Sequence, residues 1–397
     1  LILVSGKGGV GKTTVAAATG LAAARRGYRT LVMSLDLAHS LSDSFDLDAT
    51  LFSEHKGLPV KINDKLDMQE MDAQEEMERD WQDLYKYTAG LLVGGGLNDV
   101  MAEEAAIMPG TENVIALVYL NRYFKEGKYD LIVLDCPPTG EALRFVSITS
   151  TIDWYVRKRL KKDRKMVGMI RPLASKVSEN AATSLPQDSY FAALEKIFEK
   201  LQGVDEILRD PQITTVRLVT NAEKMVMRET QRAFMYFCLY GMTTDMVVIN
   251  RLMPEREGYF QQWAKTQAAY SDQIRDYFDP VPVSRMPFLN NEVVGSSQLE
   301  AFAEMLYPDS DPAAIRLNVP AYKFIKDEGD YFVEFNLPFV SKDQIDVSRN
   351  EDELVVRVGS FKRNILLPRV IMPLKIAGAK LDAGKLTIRF TKEEAYV

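Results

Sequence analysis

Nine residues near the start of the chain, Gly6-Lys7-Gly8-Gly9-Val10-Gly11-Lys12-Thr13-Thr14, carry its clearest chemistry. Gly6 to Thr13 fits G-x-x-x-x-G-K-[ST] at every fixed position, the spacing that wraps backbone N–H groups around phosphate oxygens. Lys12 is expected on the β- and γ-phosphates of ATP, and Thr13 on a magnesium ion. Two carboxylates add the hydrolytic groups. Asp36 follows an apolar run, Thr30 to Leu35, and is the candidate for orienting or activating the attacking water. Asp135 follows another, Tyr129 to Leu134, and fits the role of holding magnesium, usually through water. Gly140, in the next turn, is placed to sense the γ-phosphate through its backbone N–H.

These residues need a scaffold that presents them along one edge. Leu1 to Val4 reads as a buried strand entering the glycine loop. The Ala-rich stretch Thr14 to Arg26 reads as the helix after it, whose N-terminal dipole favours the same anion. Further strands are expected at 30–35, 66–72, 129–134, 214–220, 245–249 and 281–286, and a helix at 297–306. Such alternation predicts an α/β P-loop NTPase fold, with a mostly parallel, doubly wound sheet and its chemistry at the strands' carboxyl ends. Asn221 and Asn250 each end a strand. A carboxamide offers both a donor and an acceptor and suits the edge of adenine; an ordinary turn role is the alternative.

Two long stretches, about 73–128 and 151–210, lack strand character and read as helical insertions. Met68 and Met71 lead into the first, which holds Met77, Met101 and Met108; the second holds Trp154, Met166 and Met169. Methionine-rich surfaces adapt to varied apolar ligands, which makes Met101, Met108, Trp154, Met166 and Met169 candidate contacts for an apolar client. Packing within a helical subdomain is the alternative. The basic run Arg157 to Lys165 suits peripheral contact with a membrane or an acidic membrane receptor, or else forms a solvated face. An ATPase domain is thus expected over 1–307, followed by a Pro/Asp-rich linker at 308–319. Over 320–397 only short strands follow, among them the alternating Tyr331 to Leu337, as in an all-β sandwich of binding type without a catalytic cluster.

Composition narrows the classes. The 397 residues suit two or three domains, and a net charge of −7 gives no electrostatic case for nucleic acid. No uninterrupted apolar run reaches the roughly 18 residues that a membrane span needs. Two cysteines, Cys136 and Cys238, form neither a disulfide framework nor a CxxC pair. With no targeting segment before the first strand, the expected compartment is the cytoplasm, or a plastid stroma after removal of a transit peptide.

The first three-quarters of the chain resembles the arsenite-pump and guided-entry family of P-loop ATPases, which includes the factors that deliver tail-anchored membrane proteins. The likeness rests on GKGGVGKTT (6–14), DLAHSLSD (36–43), MPGTENVIAL (108–117), DCPPTGEALRF (135–145) and VINR (248–251), in that order. The loop itself resembles the deviant Walker A group, in which the extra lysine, here Lys7, reaches across a homodimer to the partner's nucleotide. That implies charge neutralisation in trans; a solvated surface lysine is the alternative. The resemblance also implies an ATP-driven homodimer that opens and closes an apolar client surface, catalysis on Asp36, adenine contacts from Asn250 and Asn221, and a base-side loop from Pro287 and Phe288 to Gly295. This sequence departs from the pattern in three ways: no zinc is expected without CxxC pairs, the clustered cysteines and tandem ATPase halves of arsenite-pump subunits are missing, and Leu37 replaces a proline. The last eighty residues resemble a minimal α-crystallin domain, carried by LPFVSKDQIDV (337–347), DELVVRV (352–358), KRNILLP (362–368) and AKLDAGKLTIRF (379–390). The expected function is an ATP-hydrolysing carrier of hydrophobic protein segments. A metalloid- or metal-transport ATPase subunit and a partition-type positioning ATPase are its rivals.

Overall fold

The computed structural model describes residues 1–36, 40–47, 57–71, 111–155, 162, 164–170, 188–254, 258–327 and 329–391. Met101 and Met108 lie outside the described residues. In chain order the first part runs β1 (Ile2–Gly6), α1 (Lys12–Arg25), β2 (Thr30–Ser34), α2 (Ser40–Ser44), β3 (Val60–Asn63) and β4 (Leu66–Glu70). It continues through α3 (Thr111–Glu126), β5 (Leu131–Asp135), α4 (Thr139–Tyr155), α5 (Asp188–Leu201), α6 (Val204–Arg209) and β6 (Thr215–Asn221). Then come α7 (Lys224–Leu239), β7 (Thr244–Leu252), α8 (Gln261–Phe278), β8 (Val283–Pro287) and α9 (Ser296–Leu306).

The eight strands form one sheet in the order β3-β4-β2-β5-β1-β6-β7-β8. Only β3 runs antiparallel, paired to β4 at the sheet's edge. This VKIN strand alternates over only four residues, too short a run for sequence reading to separate from a loop. Every residue of β1, β2 and β5 is buried, as expected of strands covered on both faces. Neighbouring side chains alternate between layers: Leu3 joins a core with α3, α4, α7 and α8, while Ile2 and Val4 join one with α1 and α9. Met68 and Met71, read as the approach to an adaptable surface, instead fill these cores at 0% and 4% exposure. They end a strand under helices, so burial and not ligand contact accounts for them.

Parallel pairing brings the strands' carboxyl ends to one edge. Ser34 pairs in register with both Asp135 and Glu70, Gly6 with Val219, and Asn221 with Asn250. Chain order reverses on either side of β1, whose neighbours are β5 and β6, so the glycine loop opens at a topological switch point.

The C-terminal part contains β9 (Tyr322–Asp327), β10 (Asp330–Asn336), β11 (Ile345–Asn350), β12 (Glu353–Val358), β13 (Phe361–Leu366), β14 (Lys375–Asp382) and β15 (Lys385–Thr391). A four-stranded sheet, β14-β15-β10-β9, faces a three-stranded one, β11-β12-β13, with antiparallel pairing throughout. Val333, Phe335, Val356, Ile388 and Phe390 fill the sandwich. It sits directly on α7: Met235 and Leu239 belong to the sandwich's own core, and the Tyr236 and Phe361 rings stand 3.9 Å apart. Phe339 adds edge contacts to Tyr277 and Phe278. Arg363 is buried at this junction, 5.9 Å from the Tyr240 ring, and none of its guanidinium nitrogens has a hydrogen-bond partner.

Candidate active site

The glycine loop occupies the turn between β1 and α1. Gly11, at φ +96°, precedes the helix in a left-handed conformation, and a Cβ there would meet Asn250 Nδ2 at 2.4 Å. At Gly6 a Cβ would lie 2.2 Å from the Val219 carbonyl oxygen. Both positions therefore demand glycine, one for conformation and approach, the other for approach alone. Asn250 secures the loop by donating Nδ2 to the Val10 carbonyl at 2.9 Å, while its Oδ1 accepts from the Arg251 N–H at 2.9 Å. Arg251 donates to the Gly9 carbonyl at 2.9 Å from a backbone φ of 58°, a costly conformation for a non-glycine residue. Strain of this kind clusters where geometry serves function.

The charged groups converge behind the loop. Lys12, 7% exposed, makes one long contact, from Nζ to the Lys7 carbonyl at 3.4 Å. An ammonium with three donors fits phosphate oxygens in that position. Lys7 stands at the loop's front and is half-buried, with Gly8 and Gly9 beside it exposed. Thr13 Oγ1 and Ser40 Oγ lie 3.4 Å apart, linking the loop to α2. Asp36 begins the segment toward α2; its N–H donates to Ser34 Oγ at 3.2 Å.

Asp135 is fully buried, and neither carboxylate oxygen has a hydrogen-bond partner at ordinary distance. Burial pushes its carboxyl up to about 7, opposed by the nearby Thr13 hydroxyl and Lys12 ammonium and reinforced by the Asp36 and Glu70 carboxylates. An orphaned carboxylate beside Thr13 and Lys12 suits a hard cation with oxygen ligands, so the residues present fit magnesium. Thr13 and Asp135 would hold it, Asp135 by way of water. Bound there, the ion supplies charge neutralisation on phosphate oxygens.

A cleft of about 580 Å³ adjoins the loop, within the range of a nucleotide site. Thr14, Asp43, Ser44, Asn250 and Arg251 line one side, and Pro287, Phe288 and Leu289 another. The buried Oδ1 of Asn221, beside Asn250 in register, has no hydrogen-bond partner, and Asn221 is not among the residues that line the cleft. The Gly295 N–H donates to the Ser44 carbonyl at 2.9 Å, tying the loop after β8 to α2. One edge thus gathers Gly6 to Thr14, Asp36, Asp135, Asn221, Asn250, Pro287 and Phe288. The site leaves out Met166 and Met169, which lie 53% and 59% exposed on the helical segment 164–170; Trp154 falls in the last turn of α4.

Sequence reading missed Arg251 and Glu70. Arg251 was part of a quoted motif, yet only the fold brings it back to Gly9. The Glu70 side chain, 6% exposed, accepts backbone hydrogen bonds from Leu41 at 3.1 Å and Ser42 at 3.0 Å. A carboxylate closing an otherwise buried strand was the available signal.

Comparisons with known proteins agree with this geometry. The family model described as "Anion-transporting ATPase" matches residues 1–308, and one described as "HSP20-like domain found in ArsA" matches 328–390. An Aquifex aeolicus protein named as an arsenical pump-driving ATPase is 43% identical over 394 residues, covering 98% of this chain and 99% of the relative. A Chlorobaculum tepidum protein of similar name is 38% identical over 399 residues, covering 99% of this chain and 96% of that relative. The ATPase get3 of Aspergillus terreus is 28% identical over 318 residues, covering 77% of this chain and 89% of its own. No described helix is long and apolar enough to cross a membrane. Matched over residues 1–308 by that family's model and over nearly its whole length by the Aquifex relative, the chain belongs to the ArsA-type anion-transporting ATPase family, and carries that family's HSP20-like domain at 328–390.

Proposed function

We propose that the chain works as a homodimeric ATP-hydrolysing carrier that binds and releases hydrophobic protein segments in a cytoplasmic compartment. The observation that carries this reading is the exposed apolar surface on the helical segment 164–170. Helix α4 begins at Thr139, just past Asp135, where Pro138 lies against the glycine loop at Gly8. The segment 164–170 beyond it exposes Met166, Met169 and Ile170 at 53%, 59% and 43%. Exposed methionines one helical turn apart suit apolar helices of varied sequence. Lys7, at the open front of the loop, is available to reach a second copy's nucleotide, and Asn221 and Asn250 to contact adenine. The test is binding of a transmembrane-helix peptide to the intact protein and to a Met166→Asp, Met169→Asp variant. The reading expects binding to drop about tenfold or more, since two apolar contacts are replaced by charges. Unchanged binding would overturn this assignment of the surface.

Transport of a metalloid is the second reading, favoured by the names of the Aquifex and Chlorobaculum relatives. The thiols count against it. Cys136 and Cys238 are both buried, burial raises both, and that of Cys238 is pushed up to about 12, so neither offers a ready thiolate. An ATPase rate that rises with arsenite or antimonite would favour transport over the carrier reading.

A further inference from the structure

We propose that Glu70 is a positioning residue for ATP hydrolysis: its carboxylate holds α2 against the glycine loop, so that Asp36 and Ser40 are presented to the nucleotide. The residue does no chemistry of its own. It ends β4 and pairs in register with Ser34, the last residue of β2 and two before Asp36. One carboxylate oxygen, Oε1, takes both backbone hydrogen bonds, from Leu41 at 3.1 Å and from Ser42 at 3.0 Å. Charge-assisted bonds from a rigid strand to two successive N–H groups fix a segment's position and its rotation together.

The held segment touches the site at both ends. Ser40 Oγ meets Thr13 Oγ1 at 3.4 Å, on the phosphate side. The Ser44 carbonyl accepts from Gly295, in the loop after β8, where Asp43 and Ser44 line the cleft. Leu41 and Phe45 bury beneath it in the core with α1 and α9. Asp36 and α2 therefore each have an anchor. Asp36 is tied to β2 and β5, through its N–H to Ser34 Oγ at 3.2 Å and Leu35 N–H to the Asp135 carbonyl at 3.0 Å. The helix, which follows Asp36 in the chain, hangs on Glu70. Without the Glu70 anchor Asp36 keeps its bond to Ser34 but loses its aim, and misplacement by about 1 Å costs on the order of 10²-fold in rate.

The test compares Glu70→Gln with Glu70→Met in the full-length protein. Glutamine keeps a side-chain oxygen that accepts both N–H groups; methionine keeps the volume and removes the acceptor. The expected result is a kcat lowered about 10- to 100-fold in Glu70→Met, an ATP KM changed less than about threefold, and a kcat restored to within about fivefold in Glu70→Gln. Nucleotide affinity measured directly on both variants reports that the site has folded. Glu70→Met with unchanged kcat would overturn the proposal, as would a loss confined to KM. Equal loss in both variants, with nucleotide binding intact, would also overturn it, because the charge and not the hydrogen-bond acceptor would then be at work.

Discussion

Replacing Asp135 by Asn should change how the nucleotide-free protein handles protons. In the folded chain burial lifts this carboxyl from 3.8 to about 7. Because the folded value is raised, its stabilising contribution is complete below the unfolded value and is lost as pH rises through about 7. At pH 8 the ionised, orphaned carboxylate therefore costs about 4 kcal/mol of stability, the free-energy equivalent of that shift. Removing the charge should make the metal-free, nucleotide-free protein more stable at pH 8 and alter it little near pH 4. Magnesium and ADP reverse the preference, since a cation favours the ionised form. Binding of both should release most of a proton per site from Asp135 at pH 6 and clearly less at pH 8, taken as the difference between wild type and Asp135→Asn. Titration calorimetry in two buffers of different ionisation enthalpy measures that difference and removes the nucleotide's own protons from the comparison. A difference near zero at pH 6, with magnesium affinity lowered in the variant, would refute the reasoning, because the carboxyl would then be ionised before the ion arrives.

Three further predictions address separate parts of the chain. Asp36→Asn should bind ATP nearly as the wild type does and hydrolyse it about 10²-fold more slowly, measured by steady-state phosphate release. Lys7→Ala should also lose hydrolysis while Lys12 still binds nucleotide; mixing it with Asp36→Asn subunits should restore part of the activity through one composite site, and no restoration after proven subunit exchange would leave Lys7 acting within its own subunit. Arg363→Met should leave stability unchanged or raise it by about 1 kcal/mol, because an unpaired buried guanidinium gives way to an apolar side chain against Tyr240; a loss above about 2 kcal/mol in urea unfolding would mean that the guanidinium has an anionic partner.

Much of the frame was legible in the residues themselves. The buried strands TLVMS and LIVLD stand out because both faces are covered and the apolar run is unbroken. Their carboxyl ends follow from the parallel sheet, so the placement of Asp36 and Asp135 at one edge could be read with no knowledge of contacts. Glu70 was not, since its importance depends on which segment crosses above β4, and no spacing within LDMQEMD records that. Arg251 escaped for the same reason: its partner, Gly9, is more than two hundred positions away. Methionines misled in part. Met68 and Met71 carry the same chemistry as Met166 and Met169, and only burial separates core from surface. In the sandwich, the exposed edge strand β14 lacks clean alternation, and sequence reading passes over it.

The central claim, that ATP and an apolar client act on one coupled machine, is tested most directly by nucleotide affinity. ATP binding to the intact protein is measured with and without a transmembrane-helix peptide, at constant detergent. Coupling is reciprocal, so a peptide that prefers the ATP-bound form must tighten ATP, and ATP must tighten the peptide by the same factor, expected at about tenfold. Peptide binding with no effect on ATP affinity would contradict the account.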